Sequence, residues 1–159
     1  MSNIYIYAEQ FDNVVEPSAA ELVTLVREFS KKSGQKITLL AFGEDTSAIA
    51  SQLAFDDVSV TVVKTPVSAF QDDAISVVVA DALEKLKPDS VIIPASRTAR
   101  ALFSRVAVRL GVGLTADCSE LDVDEHGEFI QRKSAFGANA MCVCVEKGGP
   151  KLVTVLVGG

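Results

Sequence analysis

Apolar runs alternate with helical patterns over the first two thirds of the chain. Runs without strict apolar-polar alternation predict strands covered on both faces, and they lie at residues 4–8, 37–42, 58–63 and 90–95. Apolar positions at helical spacing predict helices that begin at Ser18, Thr46 and Asp72 and after the loop at 96–98. This alternation predicts an α/β fold in three layers, with a mostly parallel sheet and helices on both faces.

Local signals place the ends of two of these helices. Ser18 and Glu21 have the spacing of a capping box at the start of the first helix. The last helix ends at Leu110, where Gly111 can adopt the left-handed conformation that closes a helix. Its predicted buried face consists of the apolar residues Leu102, Phe103, Val106, Ala107 and Leu110.

Four further runs, at 119–123, 129–133, 141–146 and 151–157, follow Gly113 and are separated by turn residues. They predict a C-terminal antiparallel β extension attached to the main sheet. The chain ends on two glycines without a closing helix or polar tail. We therefore expect a single domain over 1–159 whose end is either a boundary between domains or an artificial truncation.

The expected ligand position in such a sheet is the edge formed by the carboxyl ends of its strands. The loops at 8–13, 43–46 and 95–99 lie there. None of them is a glycine-rich phosphate loop. Adjacent carboxylates such as Asp72 and Asp73 are interpreted as caps of helices or loops.

Composition excludes several classes of function. The 159 residues carry a net charge of −6, which argues against nucleic acid as a partner. The sequence shows no membrane span or signal peptide, so a cytoplasmic protein is expected. The three cysteines lack the spacing of a zinc site or redox pair, and the single histidine, His126, lies in a turn pattern. No metal site or catalytic constellation is predicted.

Three stretches in order carry a family resemblance. They are AEQFDNVVEPSAAEL at 8–22, RALFSRVAVRLGVGLTADCSEL at 100–121 and RKSAFGANA at 132–140. Together they resemble the N-terminal domain of the electron transfer flavoprotein alpha subunit over essentially the whole chain. The sequence departs from the family pattern at Ala99 and Ala138, where the family usually has glycine, and at Ala101, where it often has aspartate.

The resemblance implies a function in electron transfer. Proteins of that family pair an alpha with a beta subunit, hold FAD, and carry electrons from dehydrogenases such as acyl-CoA dehydrogenases to an acceptor. The flavin is held mainly by a second domain of the alpha subunit, so no FAD is expected on these residues alone. The domain would be the scaffold that packs against the beta subunit, and the isolated chain a monomer or weak homo-oligomer.

Polar residues near the motifs are the candidate partner interface. They are Arg100, Arg105, Arg109, Asp117, Arg132, Phe136 and Asn139. Arg105 and Arg109 share a helix face and repel each other unless an acid meets them, and Asp117 and Glu120 are the candidate acids. Arg105 is expected to act in partner docking or in holding the loop from Gly113 to Glu120. Its planar guanidinium group can donate two parallel hydrogen bonds to a carboxylate or to loop carbonyls.

Two other functions remain open from the residues alone. One is a nucleotide-binding module of the universal stress protein type, which has the same α/β plan but needs a glycine-rich phosphate loop after a strand. The other is a small hydrolase that uses Cys118 or Asp117, for which the sequence offers no general base.

Overall fold

The computed structural model describes residues 3–34, 36–71, 73–118, 120–123, 129–134, 141–144 and 150–156, and for residues 115–144 it describes the backbone. The strands are β1 (Asn3–Tyr7), β2 (Gln10–Phe11), β3 (Val14–Val15), β4 (Lys36–Gly43), β5 (Ser59–Lys64), β6 (Ser90–Pro94), β7 (Leu114–Cys118), β8 (Glu120–Val123), β9 (Phe129–Ser134), β10 (Met141–Cys144) and β11 (Lys151–Val155). The helices are α1 (Ser18–Ser33), α2 (Thr46–Ser51), α3 (Ala74–Leu86) and α4 (Arg97–Leu110), and a short 3₁₀ helix covers Val67–Gln71.

One main sheet organises the described residues. Its six strands lie in the order β5-β4-β1-β6-β11-β7, and each neighbouring pair runs parallel. The chain begins in the middle, at β1, adds β4 and β5 on one side, and then crosses to β6 on the other. The predicted α/β fold with a parallel sheet is therefore confirmed, and its topological switch point lies between β1 and β6.

Helices cover both faces of this sheet. Alternate residues of β1 point to opposite faces, so Ile4 and Ile6 pack with α1 and α2, whereas Tyr5 and Tyr7 pack with α3 and α4. The α4 side chains buried there are Ala99, Leu102, Phe103, Val106 and Ala107. Burying each of Leu102, Phe103 and Val106 contributes about 1.5–3 kcal/mol, so the two apolar layers hold the sheet in place.

The predicted end of α4 at Leu110 and the predicted start of α1 at Ser18 are both correct, whereas the predicted cap of α1 is wrong. The Ser96 side chain accepts a hydrogen bond from the Ala99 N–H at the start of α4, and Gly111 ends the helix at φ 68°. The predicted capping box at Ser18 does not form, because Pro17 is the N-cap residue and no side chain caps this end. The Ser18 hydroxyl is buried without a hydrogen-bond partner.

The end of the chain differs from the predicted antiparallel extension. The last strand, β11, lies inside the parallel sheet between β6 and β7. Its residues Leu152, Val153, Thr154 and Val155 are all buried, because a strand with helices on both faces has no solvent-facing side. The strands β8, β9 and β10, which precede it, pair antiparallel with one another.

A small antiparallel hairpin lies near the N-terminus instead. The predicted loop at 8–13 and the two residues after it fold into β2 and β3, which pair through Gln10 with Val15 and Phe11 with Val14. The two residues between them, Asp12 and Asn13, have φ values of 51° and 66°. Asp and Asn are among the residues that tolerate this conformation, which tight hairpin turns require. The hairpin extends over the carboxyl end of β4.

Candidate functional site

The loops at the carboxyl ends of the parallel strands surround one cleft of about 510 Å³. We call it the carboxyl-end cleft, and its lining residues are Gln10, Phe11, Asp12, Asn13, Glu44, Val67, Phe70 and Thr98. These residues follow four different strands: β1, β4, β5 and β6. All three loops that the sequence analysis selected contribute, and the 3₁₀ helix after β5 adds a fourth wall.

Side-chain amides fix the hairpin wall of this cleft. Gln10 Nε2 donates to the Phe42 carbonyl at 2.8 Å, and Gln10 Oε1 accepts from the Asn13 N–H at 2.9 Å. Asn13 Oδ1 accepts from the Asp45 N–H at 3.0 Å, and Gln52 Nε2 donates to the Asn13 carbonyl at 2.8 Å. Because these bonds join the hairpin to β4 and α2, this wall of the cleft is preorganised.

A buried glutamate lies at the switch point beside the cleft. Glu9 is the second residue after β1, is 5% exposed, and accepts a hydrogen bond from Ser96 Oγ at 2.9 Å. Burial raises the pKa of Glu9, the hydrogen bond from Ser96 lowers it in part, and the charge of Glu16 raises it further. Burial also raises the pKa of Tyr7, and the Glu9 charge adds to that effect. Since Ser96 caps α4, Glu9 ties the sheet to the N-terminus of that helix.

A second polar cluster joins α3 to α4. We call Asp73, Ser76, Arg105 and Arg109 the Asp73 cluster. Arg105 Nε lies 2.9 Å from Asp73 Oδ1, and Arg109 Nη2 lies 2.7 Å from Asp73 Oδ2. Arg109 Nε also donates to Ser76 Oγ at 3.0 Å, and that hydroxyl lies 2.9 Å from Asp73 Oδ1. One carboxylate therefore pairs with both helix arginines and offsets half of their charge.

The Asp73 cluster changes the interpretation of the sequence. Asp73 meets both Arg105 and Arg109, because packing of α3 on α4 brings the start of α3 beside them. The side chains of the candidate acids Asp117 and Glu120 lie outside the described part of the chain. Asp73 is the N-cap residue of α3, yet its side chain makes no cap hydrogen bond. Hydrogen bonds from Ser76 and Arg109 lower the pKa of Asp73. The side chains of Arg105 and Arg109 are 49% and 40% exposed, so the pairing occurs at the surface.

The other candidate interface residues are spread along the chain. Arg100 lies exposed in α4, where its carbonyl accepts from Ser104 Oγ at 2.7 Å. Asp117 lies in β7, and Arg132 in β9 pairs with Glu120 in β8 and Val143 in β10. Phe136 and Asn139 lie outside the described residues. The structure thus brings Arg105 and Arg109 together, and it does not test the interface role of any of the seven.

The sequence did not reveal Glu9, Ser96, Phe70 or the role of Asp73 as parts of these sites. Glu9 and Ser96 lie within selected loops, and a carboxylate directly after a buried strand was the available signal for Glu9. Asp73 gave no such signal, because its partners are 32 and 36 residues away in the sequence. Among the described residues, no cluster of His, Cys, Asp and Glu could hold a metal ion. No helix in this part of the chain is long and apolar enough to cross a membrane.

Comparison with known proteins identifies the family. The sequence model of the electron transfer flavoprotein domain matches residues 4–158. The chain belongs to the electron transfer flavoprotein domain family. The electron transfer flavoprotein subunit alpha of Clostridium acetobutylicum is 31% identical over 160 residues, which cover 98% of this chain and 47% of that subunit. The resemblance drawn from the three sequence motifs is thereby confirmed.

Two other relatives have names of a different kind. The lactate dehydrogenase (NAD(+),ferredoxin) subunit LctC of Acetobacterium woodii is 31% identical over 96% of this chain and 37% of that subunit. The acryloyl-CoA reductase electron transfer subunit beta of Anaerotignum propionicum is 28% identical over 99% of this chain and 44% of that subunit. The chain therefore spans less than half the length of these curated relatives.

Proposed function

We propose that this chain is the N-terminal domain of an electron transfer flavoprotein alpha subunit. In this role it is the scaffold that packs against a beta subunit, and the resulting heterodimer carries electrons from a dehydrogenase to an acceptor through FAD. The observation that carries the proposal is the family match over residues 4–158, joined to 31% identity with an alpha subunit. Because the family functions as electron carriers, we assign this domain no catalytic reaction of its own.

The carboxyl-end cleft does not fit the FAD of this family. The described part of its lining includes the carboxylates of Asp12 and Glu44 and no lysine, arginine or histidine. A dinucleotide carries a pyrophosphate, which such sites bind through a glycine-rich loop that leads into a helix N-terminus. Thr98 brings the start of α4 to the cleft, but the loop before this helix, Ala95 and Ser96, contains no glycine. We therefore propose that FAD is held by a further domain of the alpha subunit together with the beta subunit.

The electron donor is proposed at the level of a chemical class. One relative is named after lactate dehydrogenase and another after acryloyl-CoA reductase. These names concern a small organic acid and a coenzyme A thioester. We propose a donor among dehydrogenases of such substrates, acyl-CoA dehydrogenases included.

Mixing with a beta subunit tests the docking role. We would mix the chain with the beta subunit encoded in the same genome and measure the mass by light scattering. The mass should equal the sum of the masses of the chain and the beta subunit. The candidate interface comprises Arg100, Arg105, Arg109, Asp117, Arg132, Phe136 and Asn139. Arg105→Ala should weaken the complex by about tenfold or more, and Arg105→Lys should restore part of the affinity, since the charge remains and the two parallel hydrogen bonds are lost.

A lysine outside this set supplies the matched control. Lys85 is exposed in α3 and pairs with Asp81 at 2.9 Å, so Lys85→Ala removes one surface charge and should leave the affinity unchanged. If the mass does not change on mixing, the docking role is wrong. If Arg105→Ala and Lys85→Ala bind like the unaltered chain, Arg105 has no part in docking.

Absorbance and calorimetry separate this proposal from a nucleotide-binding module. The purified chain should be colourless, and about one flavin per chain in the absorbance spectrum would contradict the assignment of FAD to other parts of the heterodimer. Titration with ATP and AMP should release no measurable heat. Micromolar affinity for either nucleotide would favour a module of the universal stress protein type.

A further inference from the structure

We propose that the carboxyl-end cleft binds a small organic cation with a flat apolar body, such as an aromatic amine. This function is independent of electron transfer and of partner docking. It is inferred from the shape of the cleft, its apolar walls and its charge, which come from separate parts of the chain.

The shape and position of the cleft suit a small molecule. Its volume of about 510 Å³ lies in the range of roughly 300–1,000 Å³ that is common for small-molecule sites. Loops after four parallel strands converge there, beside the switch point between β1 and β6. Open α/β sheets bind small ligands in this crevice, because the diverging loops leave a gap at that point.

Large apolar side chains are exposed on its walls. Phe11 is 48%, Val67 47% and Phe70 38% exposed. All three line the same concave surface, although Phe11 comes from the hairpin and the other two come from the 3₁₀ helix. Apolar groups that share a concavity favour an apolar ligand, whereas single exposed apolar residues on a convex surface need no explanation. The two phenyl rings offer faces on which a flat ligand can stack.

The charged groups of the cleft favour a ligand of positive charge. Among the residues that the structure describes, the lining has the carboxylates of Asp12 and Glu44 and no lysine, arginine or histidine. Neither carboxylate has an ion-pair partner within the part of the chain that the structure describes. A cation would gain from both carboxylates and from the faces of the two phenyl rings. An anion would meet only repulsion from these charges.

Neutral polar groups of the lining are mostly engaged within the protein. The amides of Gln10 and Asn13 hold the hairpin in place, and the Ala99 N–H at the start of α4 is capped by Ser96. The two carboxylates and the Thr98 hydroxyl make no hydrogen bond with the described residues and are open to a ligand. Carboxylates only accept hydrogen bonds when ionised, so the complementary ligand group is an N–H donor with positive charge.

Three probes with the same phenyl ring test the proposal. They are 2-phenylethylammonium, the neutral 2-phenylethanol and the anion 3-phenylpropionate, each titrated into the full chain and followed by protein NMR. We expect the cation to bind with a Kd of about 1 mM, as a ligand of this size allows. Its shift changes should centre on Phe11, Val67, Phe70 and Thr98. The alcohol should bind more weakly and the anion should not bind.

Charge-neutralising variants then assign the carboxylates. Asp12→Asn retains a residue type that tolerates the positive φ of this position, and Glu44→Gln keeps the side-chain size. Each should weaken the cation about threefold to tenfold and leave the alcohol unchanged. The control is Glu84→Gln, because Glu84 is exposed near the C-terminal end of α3, which leads to the opposite edge of the sheet. It should bind all three probes like the unaltered chain.

Several outcomes would overturn the proposal. They are equal binding of cation and anion, shift changes away from the cleft, and no binding of the cation at about 10 mM, tenfold above the expected Kd. Tighter binding of AMP than of the cation in the same cleft would also reject it. Phe70→Leu keeps the apolar bulk and removes one ring, so unchanged binding of the cation by this variant would exclude stacking on Phe70 and contradict the proposed geometry.

Discussion

Gly43 ends β4 below the hairpin wall of the carboxyl-end cleft, where a methyl group has no room. A Cβ atom at this position would overlap Ile49 Cδ1 and lie 3.1 Å from Gln10 Nε2. Ile49 is fully buried in the core, and Gln10 Nε2 donates a hydrogen bond to the Phe42 carbonyl. Gly43→Ala must therefore displace a core side chain or disturb the amide that holds the hairpin.

The expected loss follows from two opposing effects. Replacing glycine by alanine where the backbone permits it stabilises a protein by about 0.4–1 kcal/mol, because the unfolded chain loses freedom. Forcing a methyl group into a filled core costs about 1–3 kcal/mol. The overlap with Ile49 is severe, so the cost should exceed the gain. We expect Gly43→Ala to lower the free energy of unfolding by about 1–2 kcal/mol.

A second substitution tests the cause. Ile49→Val removes Cδ1, the atom that the new methyl group would overlap, and by itself should cost about 0.5–1.5 kcal/mol. In the double variant the methyl group introduced by Gly43→Ala occupies the space that Cδ1 leaves. The double variant should therefore be about as stable as Ile49→Val alone, with a favourable coupling energy of about 1–2 kcal/mol.

Urea unfolding of the four proteins, followed by circular dichroism, gives the coupling energy. The slope of the free energy with urea should be the same in all four, so that midpoint shifts report stability. If the two losses add to within about 0.5 kcal/mol, the residues act independently and the steric argument is refuted. Gly43→Ala at wild-type stability would refute it as well.

Three further predictions concern other buried or paired side chains. Burial raises the pKa of Glu9, so its contribution to stability is complete below the unfolded-state pKa and is lost as pH rises through the folded-state pKa. Glu9→Gln should remove this loss. The prediction is wrong if the melting temperatures of Glu9→Gln and of the unaltered chain depend on pH in the same way. Phe103 is fully buried, and its ring centroid lies 4.9 Å from that of Tyr7. Phe103→Ala should lower the free energy of unfolding by about 3–5 kcal/mol in urea melts. A loss below about 1 kcal/mol would contradict this packing. The pKa of Asp73 is lowered, so its contribution is present above the unfolded-state pKa and disappears as pH falls through the folded-state value; Asp73→Asn should be less stable than the unaltered chain at neutral pH and equal to it in acid, and a constant difference would argue against the pairing with Arg105 and Arg109.

The sequence by itself determined the class of the fold and the family. Runs of apolar residues and helical spacing report local conformation and burial, because each depends only on the side-chain period of one element. The same holds for the left-handed residue Gly111, which ends α4 as predicted. The family could also be recognised from the sequence, because its motifs consist of residues at fixed spacing along the chain.

Only the tertiary structure decided which elements are neighbours. The run of apolar residues in β11 is compatible with an extension or with an interior strand. In the structure β11 lies between β6 and β7 in the main sheet, and the sequence of β11 does not specify these neighbours. The hairpin strands β2 and β3 have two residues each, which is too short for a periodic signal, and amides from Gln10 and Gln52 hold them in place.

The candidate sites divide in the same way. Their loops could be selected from the sequence, because the carboxyl ends of parallel strands always meet at one edge. Their chemistry could not be predicted from the sequence. Phe70 and Phe11 line the same cleft, and Asp73 pairs with Arg105, only because segments that are distant in the sequence pack together. Hydrogen bonds and ion pairs between such segments leave no pattern in the sequence, so the fold alone decides which polar groups come together.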